Sequence, residues 1–96
     1  MKKAIVYARV SSSSIDALNA QIEQCIAYAN SKGVSVVEII KNINTSADGS
    51  AFKNILDKIT TDVVVSNITR VARDEAIQNE VIQKLNNKNC KLICIN

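Results

Sequence analysis

The sequence predicts an α/β domain of three layers, a mainly parallel sheet of at least four strands with helices on both faces. Two observations carry this. Short β-branched runs alternate with segments of helical period in the order β-α-β-α-β-α-β, uninterrupted by any repeat, linker or low-complexity stretch. The 96 residues allow one domain, residues 1–96, with one core.

The first strand spans residues 3–9. Its centre, Ala4-Ile5-Val6-Tyr7-Ala8, is nearly continuous apolar sequence, as expected of a strand buried on both faces. The serines at 11–14 break that run. Ser13 or Ser14 is placed to cap a helix, and Asp16 suits the positive end of its dipole. This helix runs to about residue 31 and turns Ile15, Leu18, Ile22, Cys25, Ile26 and Ala29 inward, with Gly33 as its stop. Residues 34–40 form a second strand, and the small polar residues 42–49 form a loop. A short helix carries Phe52, Ile55, Leu56 and Ile59 on one face. A third strand starts at Asp62 and centres on Val63-Val64-Val65. Residues 67–73 connect it to a helix opened by Asp74 and Glu75, whose inner face is Ile77, Val81, Ile82 and Leu85. Residues 90–95 complete the sheet and set Cys90 and Cys94 on one strand face.

Composition excludes several chemistries. The absence of His removes Ser-His-Asp and Cys-His triads, His-ligated zinc and imidazole acid–base work. No acidic cluster suggests a metal, and neither GxxxxGK nor GxGxxG occurs. Three cysteines without CxxC spacing fit a reducing, cytoplasmic setting and act as small buried hydrophobes. Apolar runs are too short for a membrane span or a signal peptide. A net charge of +3 permits an anionic partner without arguing for nucleic acid.

In a parallel sheet, ligands bind beyond the carboxyl ends of the strands. Two such ends are chemically distinctive. Tyr7-Ala8-Arg9-Val10-Ser11 brings a guanidinium and a hydroxyl to a helix start, and Thr69-Arg70-Val71-Ala72-Arg73 brings two more guanidiniums. With the first and third strands adjacent, all three arginines of the chain converge beside Ser11. Arginine is the residue for planar, multidentate phosphate recognition. The nine lysines, spread along the chain, read as solvated surface. The residues alone thus give a Ser-bearing, phosphate-binding rim, open to a flavodoxin-like domain that binds a small phosphate ligand.

Tyr7-Ala8-Arg9-Val10-Ser11, Leu18-Asn19-Ala20-Gln21, Tyr28-Ala29, Gly33, the segment from Phe52 to Leu56 and the run through Arg70, Arg73 and Asp74 resemble the N-terminal catalytic domain of serine recombinases, the resolvase/invertase family. The resemblance extends from about residue 3 to 96. It implies site-specific DNA recombination, as in resolution, inversion, integration or transposition by mobile elements. Ser11 would attack a DNA phosphodiester and form a 5′-phosphoserine link. Arg9, Arg70 and Arg73 would hold the phosphate, with Gln21 and the loop serine, Ser46, in support. The resemblance implies no cofactor, no metal and no ATP. It implies DNA as partner, homodimers that synapse as tetramers, and a longer protein in which a dimerisation helix and a DNA-binding domain follow.

Two positions depart from the family pattern. Thr69 stands where an Asp is usual, and Gly49 where an arginine is usual. They leave open a catalytically degenerate domain that serves self-association or regulation.

Overall fold

The computed structural model describes residues 2–96. Its elements are β1 (Lys3–Arg9), α1 (Ile15–Ser31), β2 (Ser35–Asn42), α2 (Ser50–Leu56), β3 (Asp62–Val65), a 3-10 turn (Ile68–Arg70), α3 (Glu75–Asn87) and β4 (Leu92–Cys94). The sheet has four parallel strands in the order β2-β1-β3-β4. The first and third strands are therefore neighbours, the arrangement under which the three arginines converge.

The apolar run in β1 has a direct cause. Residues from Ala4 to Ala8 are all buried because β1 lies inside the sheet with helices over both faces. Ala4, Val6, Ala8 and Val64 pack towards α1 through Leu18, Ile22 and Cys25. Ile5, Tyr7, Val63 and Val65 pack with Phe52, Leu56, Val81 and Leu85 from α2 and α3. There the Tyr7 and Phe52 rings meet edge to face, with centroids 5.0 Å apart. The caps match the sequence. Ser14 Oγ accepts from the Ala17 amide, and Asp74 Oδ1 accepts from the Ala76 amide. Gly33 adopts φ 69° just after α1.

Four expectations are corrected. β2 continues past residue 40 to Asn42, because Lys41 and Asn42 keep pairing with Ala8 and Arg9 and the Asn42 amide donates to the Tyr7 hydroxyl at 3.0 Å. Ile15 is 51% exposed, since the first turn of α1 lies past the end of the sheet core, whereas Gln21 is buried. Ile59 is buried but outside α2, because the amides of Lys58 and Ile59 close a turn on Ile55 and Leu56. β4 is an edge strand of three residues, so Cys90 precedes it and Cys94 is exposed; the two do not share a strand face. No described helix is long and apolar enough to cross a membrane.

Candidate active site

β1 lies between β2 and β3, so the chain leaves it in one direction for β2 and returns on its other side for β3. The crevice at such a reversal, beyond the strand carboxyl ends, is where this architecture binds ligands. Arg9 ends β1 at that place. Its side chain is 2% exposed and carries a positive charge with no carboxylate bonded to it.

Oxygen dipoles hold that charge instead. Arg9 Nε donates to the Arg70 carbonyl at 2.9 Å, and one terminal nitrogen donates to the Thr69 carbonyl at 3.1 Å. The other terminal nitrogen donates to the Thr45 carbonyl at 2.9 Å and to Ser11 Oγ at 2.8 Å. The guanidinium thus ties the end of β1 to the loop after β2 and to the turn after β3. It also fixes the hydroxyl of exposed Ser11 at the crevice. Burial lowers the Arg9 pKa most; Tyr7 opposes that shift, while the charges of Arg70 and Arg73 add to it.

The main chain of Arg9 is also clamped. Its amide donates to Gln21 Oε1 at 3.2 Å, and Gln21 Nε2 donates back to its carbonyl at 2.9 Å. Gln21 therefore extends the ladder of β1 from a helix, which explains a polar residue in the buried face of α1. Arg70 reaches the same carbonyl at 3.4 Å, and its Nε is buried without an acceptor. Arg73 is exposed; its amide donates to the Ala47 carbonyl, which ties the start of α3 to the loop. Ser11, Arg9, Gln21 and Arg70 are joined directly, and Arg73 stands close enough for its charge to act on Arg9. Ser46 is exposed on the loop beside Asp48, whose carboxyl is held low by the Ser50 hydroxyl and amide and by Ser46.

The carbonyls of Thr45, Thr69 and Arg70 carry no sequence signal, because every residue supplies one. Asn67 is different: its side chain accepts from the Thr69 amide at 2.9 Å and shapes the turn that presents two of those carbonyls, and Asn before such a turn is a recognisable pattern. Of the two departures from the family pattern, Thr69 engages Arg9 through its main-chain carbonyl, and nothing in the structure explains the loss of a carboxylate there. Gly49 is buried at φ 88°, and a Cβ there would lie 2.7 Å from Ile77 Cγ2 and 3.2 Å from Ala72 Cβ. A side chain at that position is strained and needs Ile77 or Ala72 to shift.

Residues 4–96 match the family model "Resolvase, N terminal domain". No curated protein matches the sequence. Among solved structures, the chain is similar to the C-terminal catalytic domain of ISC1926 TnpA, an IS607-like serine recombinase (TM-score 0.83, 25% identity, 98% of this chain and 67% of that one). It is also similar in fold to a resolvase family site-specific recombinase from Streptococcus pneumoniae (TM-score 0.82, 24% identity, 99% and 72%). The N-terminal catalytic domain of TP901-1 integrase is similar to the same degree (TM-score 0.82, 22% identity, 99% and 79%). The β1–β3 crevice, the serine and arginines at its rim and the match over nearly the whole chain agree: this chain belongs to the resolvase family of serine recombinases, and its fold is that of their catalytic domain.

Proposed function

We propose that this domain cleaves and rejoins DNA at the Ser11 rim through a covalent phosphoserine intermediate, within site-specific recombination. The observation that carries the reading is the bond from buried Arg9 to the Oγ of exposed Ser11 at 2.8 Å. The guanidinium leaves the hydroxyl facing the crevice and stabilises negative charge on its oxygen.

The step balances without a cofactor. Ser11 Oγ attacks phosphorus and loses its proton to solvent. The Oγ–P bond forms as the P–O3′ bond breaks, and the leaving oxygen takes a proton to become a 3′-hydroxyl. Rejoining is the reverse attack, by a 3′-hydroxyl on the phosphoserine. Arg9 spends four N–H groups on the protein, so its task is to position and polarise Ser11. Arg70, through the terminal N–H groups not spent on the Arg9 carbonyl, and exposed Arg73 supply the donors for the non-bridging oxygens. Loss of one such donor costs about 10²–10³ in rate. The partners under this reading are DNA and further copies of the chain, paired and then synapsed as a tetramer.

A second reading rests on Gly49. A glycine packed against α3 brings no cation to the loop, and a domain short of one phosphate contact serves assembly in place of chemistry. The test is covalent capture. End-labelled nicked duplexes are incubated with the protein, denatured and resolved for label that migrates with protein. The proposal expects an adduct in the wild type and none in Ser11→Ala. No wild-type adduct, with the fold intact, favours the assembly reading.

A further inference from the structure

The positive charge of this chain is not where its candidate chemistry is. At the rim, Arg9, Lys41, Arg70 and Arg73 are matched in number by Asp16, Asp48, Asp74 and Glu75, which sit at or before the helix starts. At the opposite end of the sheet, the strands begin and the helices finish. Six of the nine lysines lie there: Lys2 and Lys3 at the start of β1, Lys32, Lys58 and Lys88 just past the three helices, and Lys91 before β4. Three carboxylates share that end: Asp57, Asp62 and Glu38, which lines a concavity with Lys58. The net excess of the whole chain is therefore concentrated on one pole.

Two of these lysines have internal work. Lys88 Nζ donates to the Leu56 carbonyl at 2.8 Å, and Lys32 lies 5.7 Å from the centre of the Tyr28 ring. A lysine past a helix end also offsets the dipole there. The remaining four, Lys2, Lys3, Lys58 and Lys91, are exposed and carry no hydrogen bond or ion pair from their ammonium groups among the described residues. Three of them line a concavity of about 400 Å³ with Thr60, Thr61, Asp62 and Asn89. Asp62 stands among them, its Oδ1 accepting from the Lys91 main-chain amide at 2.9 Å, so the concavity holds three ammonium groups against one carboxylate.

We propose that this lysine pole is a second nucleic-acid surface, which holds the phosphate backbone of a duplex without reading its sequence. The chemistry favours a polyphosphate over a protein partner. Ammonium groups on flexible stems suit point contacts to phosphates, and no exposed large apolar residue lines the concavity of Lys2, Lys3 and Lys91; Val37 is the one beside Lys58, in the neighbouring concavity. The surface is separate from the rim. The seven residues of β1 lie between them, about 20 Å at roughly 3.3 Å per residue. That exceeds two Debye lengths at physiological salt, about 8 Å each. The charges of the two ends therefore act on bound phosphate independently of each other.

The test is fluorescence anisotropy of the intact chain with a short random-sequence duplex, over a salt series. Wild-type affinity is expected to fall roughly 100-fold between about 50 and 200 mM salt, for some four neutralised phosphates. The variant Lys2→Gln/Lys3→Gln/Lys58→Gln/Lys91→Gln is expected to bind at least about tenfold more weakly at low salt, with the log–log slope reduced by about 3. A comparator, Lys53→Gln, removes a charge that is already paired with Glu80 and belongs to neither the rim nor the pole, and is expected to lose far less per charge. Circular dichroism checks that both variants fold. Equal losses per charge in the two variants, or a pole variant that binds like the wild type, would overturn the proposal. So would binding through these lysines to anionic phospholipid vesicles without binding to the duplex. The adduct assay at Ser11 reports on the rim alone, so failure here leaves the reading of the rim separately decided.

Discussion

Replacing Arg9 with lysine separates its charge from its geometry. The positive charge stays at the end of β1, but the planar fork is lost. Arg9 reaches three main-chain carbonyls in three directions, those of Thr45, Thr69 and Arg70. One ammonium at the end of a thinner side chain cannot span them and keeps at most one. Two hydrogen bonds from a charged donor are lost, each worth about 1.5–3 kcal/mol, so the expected destabilisation is about 3–6 kcal/mol. That is a large share of the roughly 5–15 kcal/mol that holds a small domain folded. At about 4–8 °C per kcal/mol for a chain of this size, the melting temperature falls by at least about 12 °C. Urea unfolding followed by circular dichroism measures it directly, with the unfolding slope checking that both proteins unfold alike. A loss below about 1 kcal/mol, within the range of ordinary surface substitutions and single neutral bonds, would refute the claim that Arg9 is the tie between loop, turn and strand.

Other perturbations follow from the same geometry. Gln21→Leu keeps volume but leaves the amide and carbonyl of Arg9 without their clamp; the expected loss is about 2–4 kcal/mol by urea unfolding, and Ser11-dependent adduct formation should fall with it. Gly49→Ala pushes a Cβ against Ile77 at a positive φ, so left-handed strain and overpacking together should cost about 2–4 kcal/mol, and an unchanged stability would show that α3 yields freely there. Burial pushes the Cys25 thiol up to about 11 from 9.0, so the folded state holds its proton where the unfolded chain releases it. Its stabilising contribution is complete below pH 9 and is lost as pH rises towards 11; Cys25→Ala should flatten stability over that window relative to wild type.

Much of this was legible in the sequence because it rests on periodicity. The five-residue apolar run of β1 reads as a strand buried on both faces, which places it inside the sheet; the order of its neighbours comes from the structure. Arg9 and Ser11 are two residues apart at a strand end, so their meeting was legible as well. What escaped was what depends on main-chain atoms or on edges. The acceptors that hold Arg9 are carbonyls of a loop and a turn, and any residue could supply them. Asn42 reads as a loop residue, yet its amide finds Tyr7 and the edge strand continues through it. Gly49 looked like a missing arginine, whereas it fills a buried, left-handed position packed against Ile77 and Ala72 that strains any side chain. The lysines looked scattered because their common position appears only once strand starts and helix ends are brought to one side. Gln21, a polar residue inside the apolar stripe of α1, carried a signal, and the clamp on Arg9 gives its physical reason.

The central claim is that Ser11 is a nucleophile towards DNA phosphorus, held for that purpose by a buried guanidinium. The measurement that meets it most directly is tandem mass spectrometry of the protein after incubation with nicked duplexes, denaturation and nuclease digestion. A nucleotide joined through its 5′-phosphate to Ser11 is the expected product, absent in Ser11→Ala. An unmodified Ser11 in folded protein, or a nucleotide attached at any other residue, would contradict it.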